Sequence, residues 1–352
     1  MSADHTHARA GAPSGGAGLD GSDVPLVEVH DLALVDLDGV AYTGQVAVPH
    51  AAESLAAARR AGTAIVFVTN NASREPSSVA DQLVGLGIEC SEQDVMTAAQ
   101  AAAELLSRRL APGSRVLVVG GAGLLTAVRE KGFEVVARAD DKPAAVVQGF
   151  APEVGWPILA EASYAIADGA WFVASNLDLT LPTERGFAPG NGSLVAVLRS
   201  ATGVEPVSAG KPEPTMYRLA ADRVGATRPL VVGDRLDTDL AGARAAGWPG
   251  VHVLTGVNRA RDAVLAPAAH RPSYLARDLR DLLVPHPAPA LDDGWWRVRG
   301  ARARVSGGRL EVAPDGDPLD QARAACAAAW DAADSGAPVS ADTVDELTVD
   351  VG

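Results

Sequence analysis

The stretch Leu32-Ala33-Leu34-Val35-Asp36-Leu37-Asp38-Gly39-Val40 constrains this chain more than any other. Its apolar start reads as a buried strand, and it ends in two carboxylates spaced i, i+2 and a glycine. Two acids at a buried strand end cost free energy unless they bind a cation or share a proton. In an open α/β sheet, the carboxyl ends of strands are where ligands bind. An acidic turn is also an ordinary way to leave a sheet, so the stretch gains its weight from repetition. Ala64 to Val68 runs into Thr69-Asn70-Asn71, and Pro229 to Val232 runs into Gly233-Asp234, with Asp237 and Asp239 following. Between them lies Ala209-Gly210-Lys211-Pro212, a lysine held in a stiff turn. Each has a bland reading beside the chemical one: Asn71 or Ser73 as a helix cap, Lys211 as a solvated loop residue.

Apolar strands alternate with amphipathic helices along the chain. Strands at 32–36 and 64–69 and helices at 50–61 and 75–86 give a βαβα order, which predicts a parallel sheet with crossover helices. A core of 25–89 and 206–284 is expected, interrupted by a smaller α/β unit at 90–205. Within the insertion, 95–106 reads as an Ala-rich helix, and Gly120-Gly121-Ala122-Gly123 reads as a structural turn, because it lacks the full dinucleotide-binding glycine spacing. The core resumes with a helix at 213–225, strands at 229–233 and 250–254 and a helix at 238–246. Pro285 to Pro289 reads as a linker into a C-terminal appendage of 285–352. There Trp295 to Val305 alternates apolar and basic residues as one strand, Gly307-Gly308 turns it, and a helix follows at 318–333. Residues 1–24 are polar and read as a disordered tail.

The length of 352 residues predicts two or three domains. A formal charge of −14 argues against nucleic acid or an anionic membrane as partner, so the stripe Arg297, Arg299, Arg302 and Arg304 is expected to be a solvated strand face. Cys90 and Cys326 stand far apart, without the spacing of a zinc site or a disulfide framework. No apolar stretch has transmembrane length and no signal-peptide pattern opens the chain, so a cytoplasmic location is expected. Trp295, Trp296, Val298 and Val305 are too few to form a core of their own. They are expected to pack on the main body or on a second subunit, which predicts a homo-oligomer.

In their order, the four motifs DxDGV, TNN, GKP and GDxxxTD resemble those of the haloacid dehalogenase-like hydrolase superfamily. The long insertion between the second and third resembles its subclass IIA, which carries a C2 cap. The fold implied is a Rossmann-like parallel-sheet core with an inserted α/β cap and a small C-terminal hairpin-and-helix appendage. The resemblance implies phosphomonoester hydrolysis, with Asp36 as nucleophile and Asp38 as general acid and base. It implies Mg²⁺ held by Asp36, the backbone carbonyl of Asp38, and Asp234. Thr69, Asn70, Asn71 and Lys211 would bind the phosphoryl group, with Asp239 behind Lys211 and Asp237 solvated. Asp38 separates this pattern from dehalogenases, which lack the second acid. Substrate choice should lie in the cap, in the stretch 175–185, with Thr180, Leu181, Thr183 and Arg185 as the candidates within it. Leu181 stands where related pyridoxal phosphatases carry histidine, which disfavours a pyridoxal ring, and with the composition and the C-terminal appendage the resemblance implies a small polyol phosphate such as glycerol 3-phosphate. The alternatives are phosphoglycolate, a sugar phosphate or a nucleoside monophosphate, or a non-catalytic scaffold using the appendage. That appendage resembles part of an acetyltransferase fold without its pyrophosphate loop, and is expected to be non-catalytic.

Overall fold

The structure, a computed structural model, describes residues 18–183 and 185–351. Its larger sheet has six strands in the order Tyr274–Ala276, Gly250–Val253, Pro229–Gly233, Leu32–Val35, Ala64–Thr69, Val95–Thr97. Every pairing in it is parallel. Its central strands are buried on both faces, as expected of continuous apolar runs in a parallel sheet. From Leu32–Val35 the chain first builds outward through Ala64–Thr69 to Val95–Thr97. After the insertion it builds in the opposite direction from Pro229–Gly233. The two directions diverge between Leu32–Val35 and Pro229–Gly233, so Asp36 and Asp234 stand at the switch point where open α/β sheets bind ligands.

The expected helix at 95–106 is instead a strand, Val95–Thr97, followed by a helix, Ala98–Ser107. Thr97 ends the strand and caps the helix: its Oγ1 accepts from Gln100 N at 3.3 Å, and its own N–H donates to Gln100 Oε1 at 3.0 Å. Residues 95–97 therefore belong to the larger sheet, past the division expected at 90. At the other end, Val207–Ser208 pairs into the inserted sheet, past the limit expected at 205. That second sheet is also parallel, in the order Val207–Ser208, Trp171–Ala174, Ala145–Gln148, Arg115–Val119, Glu134–Val136.

Helix Ala98–Ser107 lies between the two sheets. Ala98, Ala99, Ala101, Ala102 and Ala103 are all buried, so the helix is covered around most of its circumference. One apolar cluster contains Leu34, Val66 and Val68 from the larger sheet, these alanines, and Val116, Val118, Val147 and Val173 from the smaller. Only methyl side chains let a helix approach neighbours so closely on several sides. The glycine-rich turn has a related role. A Cβ on Gly123 would lie 2.4 Å from Arg74 O, and one on Gly121 would lie 3.1 Å from Ser73 O. Gly123 N donates to Ser73 O at 3.1 Å, so the turn seats the loop that follows Thr69.

At the C-terminus the expected single strand from Trp295 to Val305 is two, Trp295–Val298 and Ala301–Ser306, turned at Arg299, whose φ is 50°. Strands Ala290–Asp292 and Arg309–Val312 complete a four-stranded antiparallel sheet, which packs against helix Pro318–Asp334. This unit docks on the edge of the larger sheet. Trp330 Nε1 donates to Ala263 O at 3.0 Å, and Arg323 donates to Leu275 O at 2.8 Å on the edge strand. Val298 is buried and Trp296 joins the same apolar cluster, so these two side chains pack on the main body, one of the two arrangements expected for them. The basic stripe is likewise engaged. Arg297, Arg299 and Arg304 pair with Asp292, Asp320 and Glu311, and Arg302 stacks on Trp295 at 4.9 Å.

Residues 1–17 of the expected N-terminal tail lie outside the described residues. The remainder of that tail is pinned: Ser22 exchanges backbone hydrogen bonds with His286 at 2.8 and 2.9 Å, and Asp20 N donates to Ser273 O at 2.8 Å. No helix among the described residues is long and apolar enough to cross a membrane.

The tight seat of helix Ala98–Ser107 yields a test. Ala102→Leu adds volume where both sheets press on the helix, and should destabilise the protein by about 1–3 kcal/mol. A urea unfolding curve with an unchanged midpoint would disprove this packing.

Candidate functional site

The side chain of Lys211 joins the strand ends. Its ammonium donates to Asp36 Oδ1 at 2.5 Å, to Asp239 Oδ1 at 2.7 Å and to the Val68 carbonyl at 3.2 Å. Lys211 is buried. Burial alone would lower its pKa, but the Asp239 and Asp36 carboxylates outweigh that and hold it well above the ordinary lysine value. Burial raises the pKa of Asp36 well above the usual carboxylate range, against the pull of Lys211 and with the help of Asp239 and Asp234. Burial, with the Asp239 charge beside it, pushes Asp234 up to about 7. One carboxylate oxygen from each of Asp36, Asp234 and Asp239 lies within 4.8 Å of the others.

Asp234 sits in a cradle of glycine backbone. Val257 N donates to its Oδ2 at 2.6 Å. A Cβ on Gly256 would lie 2.0 Å from that oxygen and one on Gly39 would lie 2.6 Å from it, so both positions exclude side chains. Gly39 also has φ +81°, in the left-handed region. The other oxygen, Oδ1, is buried without a hydrogen-bond partner. A buried anionic oxygen left unsatisfied in an all-oxygen cluster fits a hard divalent cation. Asp239 fits that role less well, because both its oxygens are engaged: Oδ1 by Lys211 and Oδ2 by Arg235 N at 3.1 Å. It supports Lys211 from behind. It stands on a turn in which Leu240 N reaches back to Arg235 O at 3.2 Å, an i→i+5 bond of the kind often found at functional sites. Asp237 faces solvent and pairs with Arg235 at 2.8 Å.

Asp38 lies in the turn after Asp36; the residue has exposed surface, but the protein crowding its carboxyl raises its pKa, against the attraction of Lys211 and Arg74. Thr69 is buried, and its Oγ1 accepts from Asn71 N at 3.1 Å, leaving its O–H to donate. Asn71 differs from expectation. Its Oδ1 accepts from Ser73 N at 2.8 Å, Ser73 Oγ at 3.0 Å and Arg74 N at 3.3 Å, so its side chain shapes the turn rather than facing a ligand. Asn70 is a junction. Its Oδ1 accepts from Lys211 N at 2.8 Å, and its Nδ2 donates to Asp178 at 3.0 and 3.1 Å.

Asp178 belongs to the inserted unit, within the stretch 175–185 where substrate choice is expected, although no individual role is expected of it there. Its signal lay in the sequence, since Trp171 to Ala174 runs into Ser175-Asn176-Leu177-Asp178 much as the core strands run into their polar turns. Asn176 Nδ2 donates to Asn70 O at 2.7 Å, a second bond between the units. Three of the inserted unit's expected substrate residues, Thr180, Leu181 and Thr183, lie on strand Thr180–Thr183, which forms a hairpin with Gly186–Pro189. Thr180 is exposed and Leu181 half-buried. Thr183 Oγ1 donates to Gly186 O at 2.7 Å and accepts from Arg185 N at 3.3 Å, so its hydroxyl closes the turn. Arg185 is exposed at that turn.

Three family models match the chain. A haloacid dehalogenase-like hydrolase model spans 33–134, a HAD-hydrolase-like model spans 208–282, and a GCN5-related N-acetyltransferase-like model spans 298–348. The chain is 46% identical over 322 residues to D-glycerol 3-phosphate phosphatase of Mycobacterium tuberculosis, covering 87% of this chain and 88% of that one. A crystal structure of glycerol phosphate phosphatase from that organism in complex with magnesium matches with a TM-score of 0.81, covering 88% of this chain and 92% of the other. An acid sugar phosphatase of Staphylococcus saprophyticus is 34% identical over 252 residues, 71% of this chain and 95% of that one.

The cradle also makes a prediction about stability. Asp234 ionises near 3.8 in the unfolded chain and at about 7 in the folded one. Between those values the folded state holds a proton that the unfolded state lacks, so stability falls as pH rises through this window. Asp234→Asn removes that cost. In cation-free buffer, the stability advantage of Asp234→Asn over the parent should grow by on the order of 3 kcal/mol between pH 4 and pH 8. A pH-independent difference in denaturation midpoints would contradict the assignment.

Proposed function

We propose that this chain, which belongs to the haloacid dehalogenase-like hydrolase family, is a magnesium-dependent phosphomonoesterase acting on glycerol 3-phosphate or a similar small polyol phosphate. The observation that carries the reading is the buried cluster: Lys211 bonded to Asp36 and Asp239, with Asp234 Oδ1 beside them unsatisfied. The relatives named phosphatases, and the magnesium complex of one of them, support it. The substrate class rests on the D-glycerol 3-phosphate phosphatase, with which the chain shares 46% identity along most of its length.

Asp36, the backbone carbonyl of Asp38 and Asp234 are the groups that would hold magnesium. When bound, it offsets negative charge on the carboxylates and the phosphoryl group. Asp36 attacks phosphorus in line with the ester bond, and the alkoxide leaves as that bond breaks. Lys211 keeps the Asp36 carboxylate oriented and carries positive charge to the phosphoryl oxygens. Thr69 O–H and the backbone N–H of Asn70 donate to those oxygens. The Asp38 carboxyl gives its proton to the leaving alkoxide. As a carboxylate, it then takes a proton from the water whose oxygen attacks the Asp36-bound phosphorus. That second displacement breaks the bond to Asp36 and releases inorganic phosphate. The raised pKa of Asp38 suits the first half of this exchange, because it favours the protonated form that gives up the proton. In this reading the hairpin of Thr180–Thr183 and Gly186–Pro189 contributes to substrate choice, with Asp178 fixing its root through Asn70.

Three measurements test the proposal. Asp36→Asn should reduce phosphate release by at least about 10⁴-fold, as losing a reacting group does in other covalent mechanisms, with an unchanged circular dichroism spectrum. Substantial turnover in that folded variant would reject Asp36 as nucleophile. Asp38→Asn should lose about 10²–10⁴-fold on glycerol 3-phosphate but far less on 4-nitrophenyl phosphate, whose leaving group needs no proton. Equal losses on both would remove Asp38 from the role of general acid. If a sugar phosphate or phosphoglycolate has the highest kcat/KM in a substrate panel, the polyol assignment fails while the phosphatase stands.

A further inference from the structure

We infer that the C-terminal unit is a positioning brace for the loop that holds Asp234. This inference rests on the reading of Asp234 as a cation ligand. Residues 255–258 supply that cradle. Val257 N donates to Asp234 Oδ2 at 2.6 Å, and Asn258 N donates to the Asp234 carbonyl at 3.2 Å. Asn258 Oδ1 accepts from Leu236 N at 2.9 Å, and Thr255 Oγ1 donates to Gly39 O at 2.5 Å. The loop is bounded by strand Gly250–Val253 and by the helix Ala260–Val264. A helix of five residues has no stability of its own and depends on what packs against it.

The C-terminal unit is what packs against it. Leu254, Ala260, Ala263 and Val264 lie in one apolar cluster with Ala322, Cys326 and Trp330. Trp330 is 2% exposed, and its indole N–H is aimed at the Ala263 carbonyl. From the short helix itself, Arg261 reaches in the opposite direction. It donates to Val344 O at 2.9 Å and Ala341 O at 2.7 Å, clasping the chain beyond helix Pro318–Asp334. Arg271 adds an ion pair to Asp334 at 2.7 Å and lies over the Trp330 ring at 5.3 Å. Removing these contacts would leave Leu254 and the inner face of the short helix in water. The loop between would then have one anchored end.

The same unit is poorly arranged for binding an acyl carrier's phosphates. The N-terminus of helix Pro318–Asp334, where an anion would bind, is occupied by the Asp317 carboxylate. That carboxylate accepts from Leu319 N at 2.9 Å and pairs with Arg277 at 3.3 Å. An acetyltransferase-like fold is thus tied by its own acids to the neighbouring sheet.

The test uses the full chain with Trp330→Leu, which loosens the buried contact, and Arg261→Met, which cuts the clasp without touching the buried cluster. Trp295→Ala, in the outer sheet, is the control. Amide exchange of residues 254–259 is followed in cation-free protein, magnesium affinity is measured by calorimetry, and turnover is titrated against magnesium. The brace predicts faster exchange at Val257 and Asn258 in both variants, and about tenfold weaker magnesium binding. It also predicts that turnover recovers at saturating magnesium, and that the control behaves as the parent. A folded variant whose helix Pro318–Asp334 exchanges faster while Val257 exchange and magnesium affinity stay at parental values would overturn it. A parent protein that binds magnesium but cleaves no phosphomonoester would sink the proposed function and leave the brace standing.

Discussion

Lys211 Nζ contacts two carboxylates directly and lies beside a third, and this crowding governs much of the structure around it. Three ionised carboxylates and one ammonium leave an excess of two negative charges in a largely buried volume. Desolvating each such ion costs several kcal/mol, and a buried pair recovers that cost only with good geometry and additional hydrogen bonds. The fold supplies them for Asp239, through Arg235 N, and for one oxygen of Asp234, through Val257 N. It leaves Asp234 Oδ1 without a partner, and burial, together with the neighbouring carboxylates, raises the pKa values of Asp36 and Asp234. The cluster is built to take up positive charge, and the cost of holding it ready is borne by the fold.

Close approach is the second constraint. Gly39, Gly233 and Gly256 admit no Cβ because carboxylates of Asp234 or Asp239 occupy that space. Gly210 excludes one because Asn70 Oδ1 and Ser175 O are in the way. The glycines let backbone reach the acids, and in the case of Gly210 they let the inserted unit reach the core. Asn70 is the common point: its backbone follows Thr69, one side-chain atom holds Lys211 N, and the other holds Asp178 of the inserted unit. The loop after Thr69 is therefore tied to the inserted unit twice, at Asn70 and again at Gly123.

The C-terminal unit extends this logic outward. Its helix buries a nearly continuous alanine face with Trp330 at its end, and Arg323 satisfies a carbonyl on the open edge of the parallel sheet. An unpaired edge invites association with other chains, and covering it within one chain removes that hazard. Of the apolar residues expected to pack on the main body or on a second subunit, Val298 and Trp296 lie in this intramolecular cluster.

The sequence by itself determined the parallel sheet and the identity of the chemical groups. Apolar runs of strand length ending at Asp36, Thr69 and Asp234 can hardly be arranged otherwise, because an all-parallel sheet buries both faces and exposes polar groups only at strand ends. Short-range signals failed where a local pattern was ambiguous. Val95–Thr97 looked like the start of an alanine helix, and the turn at Arg299-Gly300 preserved the alternation of basic and small residues on either side of it. The resemblance implies Asn71 as a ligand to the phosphoryl group, yet its side-chain carbonyl is engaged by its own turn. What only the tertiary structure decided are the contacts across long separations: Asn70 with Asp178, Asp234 with Val257, and Ala263 with Trp330. Periodicity and composition record how a segment meets its neighbours in sequence. Which carbonyl faces which donor across the fold is fixed only when the sheets and helices pack, because it depends on distances that no local pattern encodes.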